Sequence, residues 1–259
     1  MIRQPSGPIE AKVPADHPFF NLIEEAYRVF AYPKPGSIGV CERCCMDRKI
    51  ETSFFNPDIR DLPLAYIQDW YGAACDAKGL SKETWAYLLP RILEILAAGE
   101  DVSNTAMEVS LNRFDTGDPE NWSEREWRVL DGFQKMFLRE QIEQKRDRLD
   151  DGICMFRLAG WPLDTLLDQV ASAPDATLAL RLWNDWCRWS APGKEGVWIT
   201  AFWEYPDNEA IFDFYASRRL YDKMEALALD DGMDGELAAK ASAVASVIEA
   251  NAGWSLKLP

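Results

Sequence analysis

The sequence predicts an all-α protein, an irregular helical bundle or solenoid-like array built around a long central helix. Three observations predict it. Apolar residues recur at three- and four-residue steps in most segments between Gly and Pro breaks, as they do on a helix with one buried face. No strand–turn–strand series and no strand–helix alternation occurs, and no segment repeats at a fixed period. Third, residues Asn121–Asp150 form the longest unbroken helical pattern in the chain.

That central stretch opens on Ser123, with Glu126 three residues on, the signature of a capping box. Trp122 and Trp127 flank the cap as a hydrophobic staple. Trp127, Leu130, Phe133, Phe137, Leu138 and Ile142 place one apolar face inward, and Asp131 supports Lys135 on the other. At ~1.5 Å per residue the helix would run roughly 40 Å.

The remaining elements follow in order. Residues 1–16, rich in Pro and Gly, read as a loose arm, and 17–259 as a single helical domain with a soft division near Asp150. Phe19, Phe20, Ile23, Ala26, Tyr27 and Phe30 share a stripe that Pro33, Pro35 and Gly36 end. Asp61 and Pro63 start a helix carrying Leu64, Ile67, Trp70, Tyr71 and Ala74. Ser81 caps the next, with Trp85, Leu88, Leu89, Ile92 and Leu96 inward and Gly99 as its stop. Pro90 within it predicts a kink or restart. Val102–Leu111 reads as a shorter helix. After Asp150, short helices are expected over 153–158, 163–170 and 178–189, separated by Gly160-Trp161-Pro162 and Ala173-Pro174-Asp175. Residues 192–203 read as a short strand or an extended connection. Pro206 opens a helix reaching Leu227, and Leu237, Ala241, Val244 and Ile248 mark the last one.

Composition narrows the function. The chain has 259 residues, 47% hydrophobic, with 11 Trp and 12 Phe, enough to fill a large ordered core. No apolar run approaches ~20 residues and the N-terminus lacks a secretory h-region, so a cytoplasmic, non-membrane protein is expected. The net charge of −15 argues against nucleic-acid binding and against anionic membranes. It fits solubility, or steering toward a basic partner protein.

Few residues point to chemistry. Cys41, Cys44 and Cys45 include one C-x2-C, half of a structural zinc site. The other half is missing, since His17 is the lone His and Cys75, Cys154 and Cys187 are isolated. The cluster therefore reads more readily as a loop pinned by small buried thiols. The same region carries a resemblance. YRVFAYPKP, the Cys cluster, FNPDIRDLPLAYIQDWYGAA, AYLLPRILEILAAG and WITAFWEYPDNEAIFDFYASRRLYDKMEALAL together resemble an uncharacterised bacterial family with a Cys-rich turn and an LPRILEL-like helix. The likeness spans roughly residues 20–229, implies an all-helical fold and implies no activity.

Trp183, Trp186, Trp189, Trp198 and Trp203 form a cluster in sequence. Exposed, such a set stacks sugars or bases; the helical spacing of Trp186 with Leu178 and Leu182 favours core, with any surplus at an interface. Asp230-Asp231-Gly232-Met233-Asp234-Gly235-Glu236 resembles a calcium loop superficially. Gly232 holds a ligand position and Ala241 stands where the bidentate Glu belongs, so it reads as an acidic connection. Catalytic signatures are absent: no G-x-S-x-G, Walker A, dinucleotide turn or H-E-x-x-H. Carboxylate pairs such as Glu204 with Asp207 arise by chance among 43 acidic residues.

The expected function is thus an acidic, non-enzymatic protein that binds a basic protein partner through Asp230, Asp231, Asp234 and Glu236. An immunity protein neutralising a bacterial toxin is its concrete form. The alternatives are a hydrolase working through carboxylates or a metal ion, and a zinc-stabilised structural module.

Overall fold

Several helices begin where a side chain accepts from the backbone N–H groups that a first turn leaves free. Ser81 accepts from the Thr84 N–H, Ser217 from Leu220 N–H, and Asp234 from the N–H groups of Glu236 and Leu237. The computed structural model describes residues 11–37, 57–73, 80–143, 147–191 and 193–253, and among them every regular element is helical. The elements are α1 (Phe20–Val29), α2 (Leu64–Ala73), α3 (Lys82–Ala97), α4 (Glu124–Glu143), α5 (Leu149–Leu158), α6 (Leu163–Ala171), α7 (Asp175–Trp186), α8 (Asp207–Tyr215), α9 (Arg218–Ala228) and α10 (Gly235–Asn251), with short 3-10 turns between some of them. The chain divides into two units, residues 1–136 with 158–161, and residues 137–157 with 162–259.

The first unit is organised on α3, which packs against α1. Every residue from Thr84 to Ala97 is buried, so α3 is enclosed on all sides and lies inside the unit rather than on its surface. Pro90 sits within it without the expected break. Its cost is one missing N–H bond and a crowded carbonyl. Burial of Trp85, Leu88, Leu89 and Ile92, each worth about 1.5–3 kcal/mol, outweighs that. Gly99 terminates the helix at φ 76°, a left-handed conformation that glycine adopts at no steric cost.

Arg91 and Glu94 of α3 are buried together, with Arg91 Nη1 2.6 Å from Glu94 Oε2. Arg91 also donates to the carbonyls of Leu62 and Ala11, at 2.9 Å each, and the Tyr27 hydroxyl donates to Glu94 at 2.7 Å. This pair therefore ties α1, the approach to α2 and the N-terminal segment to one helix. Of the stretch expected as a loose arm, residues 11–16 are described, and Ala11 and Val13 in it are buried. Val102–Leu111 is not the expected helix but a series of bends with one 3-10 turn at Met107–Val109. Ser103 there accepts from the Thr105 N–H, a local bond that competes with helix.

The central helix is shorter than its pattern. α4 has 20 residues, about 30 Å, and α5 starts afresh at Leu149. The capping box is formed: Glu126 accepts from the Ser123 N–H at 2.7 Å and Ser123 from the Glu126 N–H at 3.4 Å. Asp131 and Lys135 pair at 2.8 Å. The two tryptophans turn to other partners. Trp122 meets Phe30 and Phe114 edge-on, while Trp127 is half-buried and stacks on Trp161 with ring centres 5.9 Å apart. Val129, Leu130, Phe133, Phe137, Leu138 and Ile142 are the buried stripe.

In the second unit α9 and α10 form a helical hairpin, and both pack on α7. The single helix expected from Pro206 to Leu227 is two, because Ser217 caps a new start. Residues 194–200 form a connection with no helix or strand.

Candidate functional site

The residues singled out in the sequence fall in different places. Asp230, Asp231, Asp234 and Glu236 are all exposed on the turn that joins α9 to α10. Asp230 accepts from the Gly232 N–H at 2.9 Å, Asp234 caps α10, and Glu236 pairs with Lys240 one turn on. The turn therefore has a fixed shape, with Leu229 beside it 75% exposed. Of the pair Glu204 and Asp207, Asp207 is engaged by Arg157 at 2.5 Å. Cys41, Cys44 and Cys45 lie outside the described residues. Among the described residues no three His, Cys, Asp or Glu side chains gather so as to hold a metal ion.

The tryptophan cluster separates into two kinds. Trp203 is buried, and its indole N–H donates to Asp150 at 2.9 Å. Trp183 is half-buried beneath Lys240, whose ammonium lies 4.7 Å from its ring centre. The other three line one cavity of about 660 Å³ in the second unit, between the end of α7, the turn before α5 and the connecting segment 194–198. Trp186 forms part of its buried wall, Trp198 is half-buried, and Trp189 is 82% exposed.

The cavity is also charged. Arg148, Arg188 and Lys194 line it together with Asp147 and Asp185. Arg148 stacks its guanidinium on Trp198 at 3.7 Å, and Arg188 lies 4.8 Å above Trp189 while donating to Asn184 Oδ1 at 3.1 Å. Asp185 is already neutralised. It pairs with the fully buried Arg181 at 2.6 Å and accepts from the Leu149 N–H at 3.1 Å. Arg181 in turn donates to the carbonyls of Gln141 and Asp147. One buried pair thus closes the end of α4, holds the turn before α5 and starts α5. That long-range anchoring is the physical reason the central helical pattern breaks.

Beyond the connecting segment, Asp150 is buried and accepts from the Thr200 N–H at 2.6 Å. Burial, with Asp150 and Asp185 nearby, holds the Tyr215 hydroxyl well above its ordinary range, so it remains a hydrogen-bond donor to Asp150. Cys187, between Trp186 and Arg188, is a free thiol pushed up to about 11 by burial and by Glu195, which leaves it inert as a nucleophile at neutral pH. The cavity is not legible in the sequence, because the helical spacing of Trp186 assigns the tryptophan cluster to the core. The available signal was Arg188 and Lys194 interleaved with tryptophans in an acidic chain.

No helix among the described residues is long and apolar enough to cross a membrane. No protein-family model, curated protein or solved structure matches the chain.

Proposed function

We propose that the protein is an acidic binding protein for a basic protein partner, and that the α9–α10 turn is part of the recognition surface. The observation that carries this reading lies between Glu204 and Glu236. That stretch holds ten acidic residues against three basic ones. It also exposes two large apolar side chains, Tyr205 at 78% and Leu229 at 75%. Fixed carboxylates beside an exposed aliphatic residue favour a protein surface: the charge steers the encounter and the apolar group adds contact area. An immunity protein covering the basic active site of a bacterial toxin is the concrete form of this proposal.

The test uses the full chain with a photo-crosslinking residue at position 229. The expected product is a conjugate with one basic protein of the source cell. Association of that purified partner should slow when Asp230, Asp231 and Asp234 become Asn and Glu236 becomes Gln. The slowing should shrink as salt rises toward 1 M, where screening falls to about 3 Å. Asn also caps helices, so Asp234→Asn leaves α10 in place. An association rate that is unchanged and insensitive to salt rejects the turn as the recognition surface.

A further inference from the structure

The cavity of the second unit has no part in that surface reading, and its lining is the reverse of the chain's overall character. Acidic residues outnumber basic ones by 43 to 28. Many cations elsewhere are paired: Arg60 with Glu24, Arg157 with Asp207, Arg218 with Asp222, Lys223 with Asp175 and Lys240 with Glu236. Arg148, Arg188 and Lys194 line one cavity, and among the described residues none of the three has an ion pair. Asp185 is balanced by Arg181, so Asp147 is the single carboxylate set against three cations in the lining.

We propose that this cavity binds a small phosphorylated compound carrying a planar ring, of the nucleoside monophosphate class. The chemistry of the lining selects both halves. A guanidinium stacked on an indole keeps its in-plane N–H donors available, and a fork of such donors suits a phosphate. Arg148 on Trp198 and Arg188 on Trp189 both have this form. Trp189, 82% exposed beside the cavity, offers a ring surface on which a flat base can stack. A cavity of about 660 Å³ is of a size to hold one such molecule. A long polyanion is disfavoured by the −15 charge of the whole chain, whereas a mononucleotide meets mainly the local field of the lining.

The walls are held before any ligand arrives. Arg181 and Asp185 fix the turn at Asp147–Leu149, the carboxylate of Asp150 fixes the backbone at Thr200, and Arg188 is held by Asn184. Preorganisation of this kind lowers the ordering cost of binding.

The experiment titrates the full chain with the four ribonucleoside 5′-monophosphates, their nucleosides and inorganic phosphate, read by calorimetry and tryptophan fluorescence. At least one monophosphate should bind one to one and quench fluorescence. It should bind about tenfold or more tighter than its nucleoside or phosphate alone, and each of Arg148→Gln, Arg188→Gln and Trp189→Ala should weaken it by about tenfold. Arg218→Gln, outside the cavity, should leave affinity unchanged. These cavity side chains are exposed, so the variants should keep the parent melting temperature. Absence of binding by all four monophosphates overturns the proposal. So does a nucleoside that binds as tightly as its monophosphate, or binding that survives all three cavity substitutions in one chain.

Discussion

Arg91 with Glu94 and Arg181 with Asp185 are the same chemical device in two regions, a buried arginine holding a carboxylate about one helical turn further along. Both arginines also donate to two backbone carbonyls of distant segments. What differs is what surrounds the carboxylate. Glu94 is buried and covered by the Tyr27 hydroxyl, with Lys12 at 4.0 Å, all within the first unit. Asp185 lines a cavity whose other cations are unpaired. A buried ion pair therefore marks a junction of chain segments in both regions, and in only one of them does it also frame a place where something else can bind. Ion pairs of this kind are weak evidence of net stability, but losing one partner is costly because the other stays buried and charged.

The largest expected effect tests that comparison directly. Arg91→Ala and Arg181→Ala should each lower unfolding free energy by about 3–5 kcal/mol, measured by urea denaturation. Each leaves a buried carboxylate and two carbonyls without their donor. The folded fraction of Arg91→Ala should bind a monophosphate as the parent does, whereas that of Arg181→Ala should not. Equal loss of binding in both would erase the distinction drawn between the two pairs. A smaller effect is expected at Asp150→Asn. Its carboxylate accepts from Thr200 and Trp203, and weakening charge-assisted bonds of this type costs about 1.5–3 kcal/mol. Hydrogen exchange should quicken across residues 193–203 and remain unaltered in α3. Uniform quickening would show that Asp150 supports general stability rather than the cavity wall.

These two regions also show what the sequence could and could not reveal. Helix positions are legible where a cap and a period coincide, as at Ser81 and Ser123. The capping box at Ser123 and Glu126 needs only residues three apart. The break between α4 and α5 was illegible for the opposite reason. It is made by Arg181 and Asp185, roughly forty positions away, and local periodicity carries no information about them. Pro90 misled in a related way: its helix-breaking tendency is real, but complete burial of α3 overrides it. Spacing places Trp127 on the inward face, yet it is half-buried, and the buried stripe runs through Val129 and Leu130 instead. At the acidic turn, residue identity was enough to find four exposed carboxylates. At the cavity it was not, since the meaning of Arg148, Arg188 and Lys194 depends on which cations lack a partner, and pairing is a property of the fold.

The smallest expected effect lies in the first unit and sharpens the contrast from its closed side. Tyr32 donates to Glu126 at 2.6 Å, joining the stretch after α1 to the cap of α4. Burial, with the Glu126 hydrogen bond added, pushes the Tyr32 hydroxyl up from 10.0 to about 12. For Glu126, burial alone would raise the carboxyl, but hydrogen bonds from Tyr32 and Ser123 outweigh it and hold the group below 4.5. The signs follow from linkage. A lowered carboxyl contributes stability that is present above 4.5 and is lost as pH falls through its folded value. A raised tyrosine contributes stability that is complete below 10 and is lost as pH rises toward 12. Tyr32→Phe removes the shared hydrogen bond, so the parent should exceed it by about 1 kcal/mol between these limits. Below pH 4.5 the difference should shrink as Glu126 takes a proton. Above pH 10 it should shrink again, because the unfolded parent ionises a tyrosine that the variant lacks. Tyr27, Tyr71 and Tyr215 are present in both proteins and cancel. Denaturation midpoints of the pair from pH 3 to 11 measure the gap, and a gap that stays flat at both ends would mean that this bond is not formed in solution.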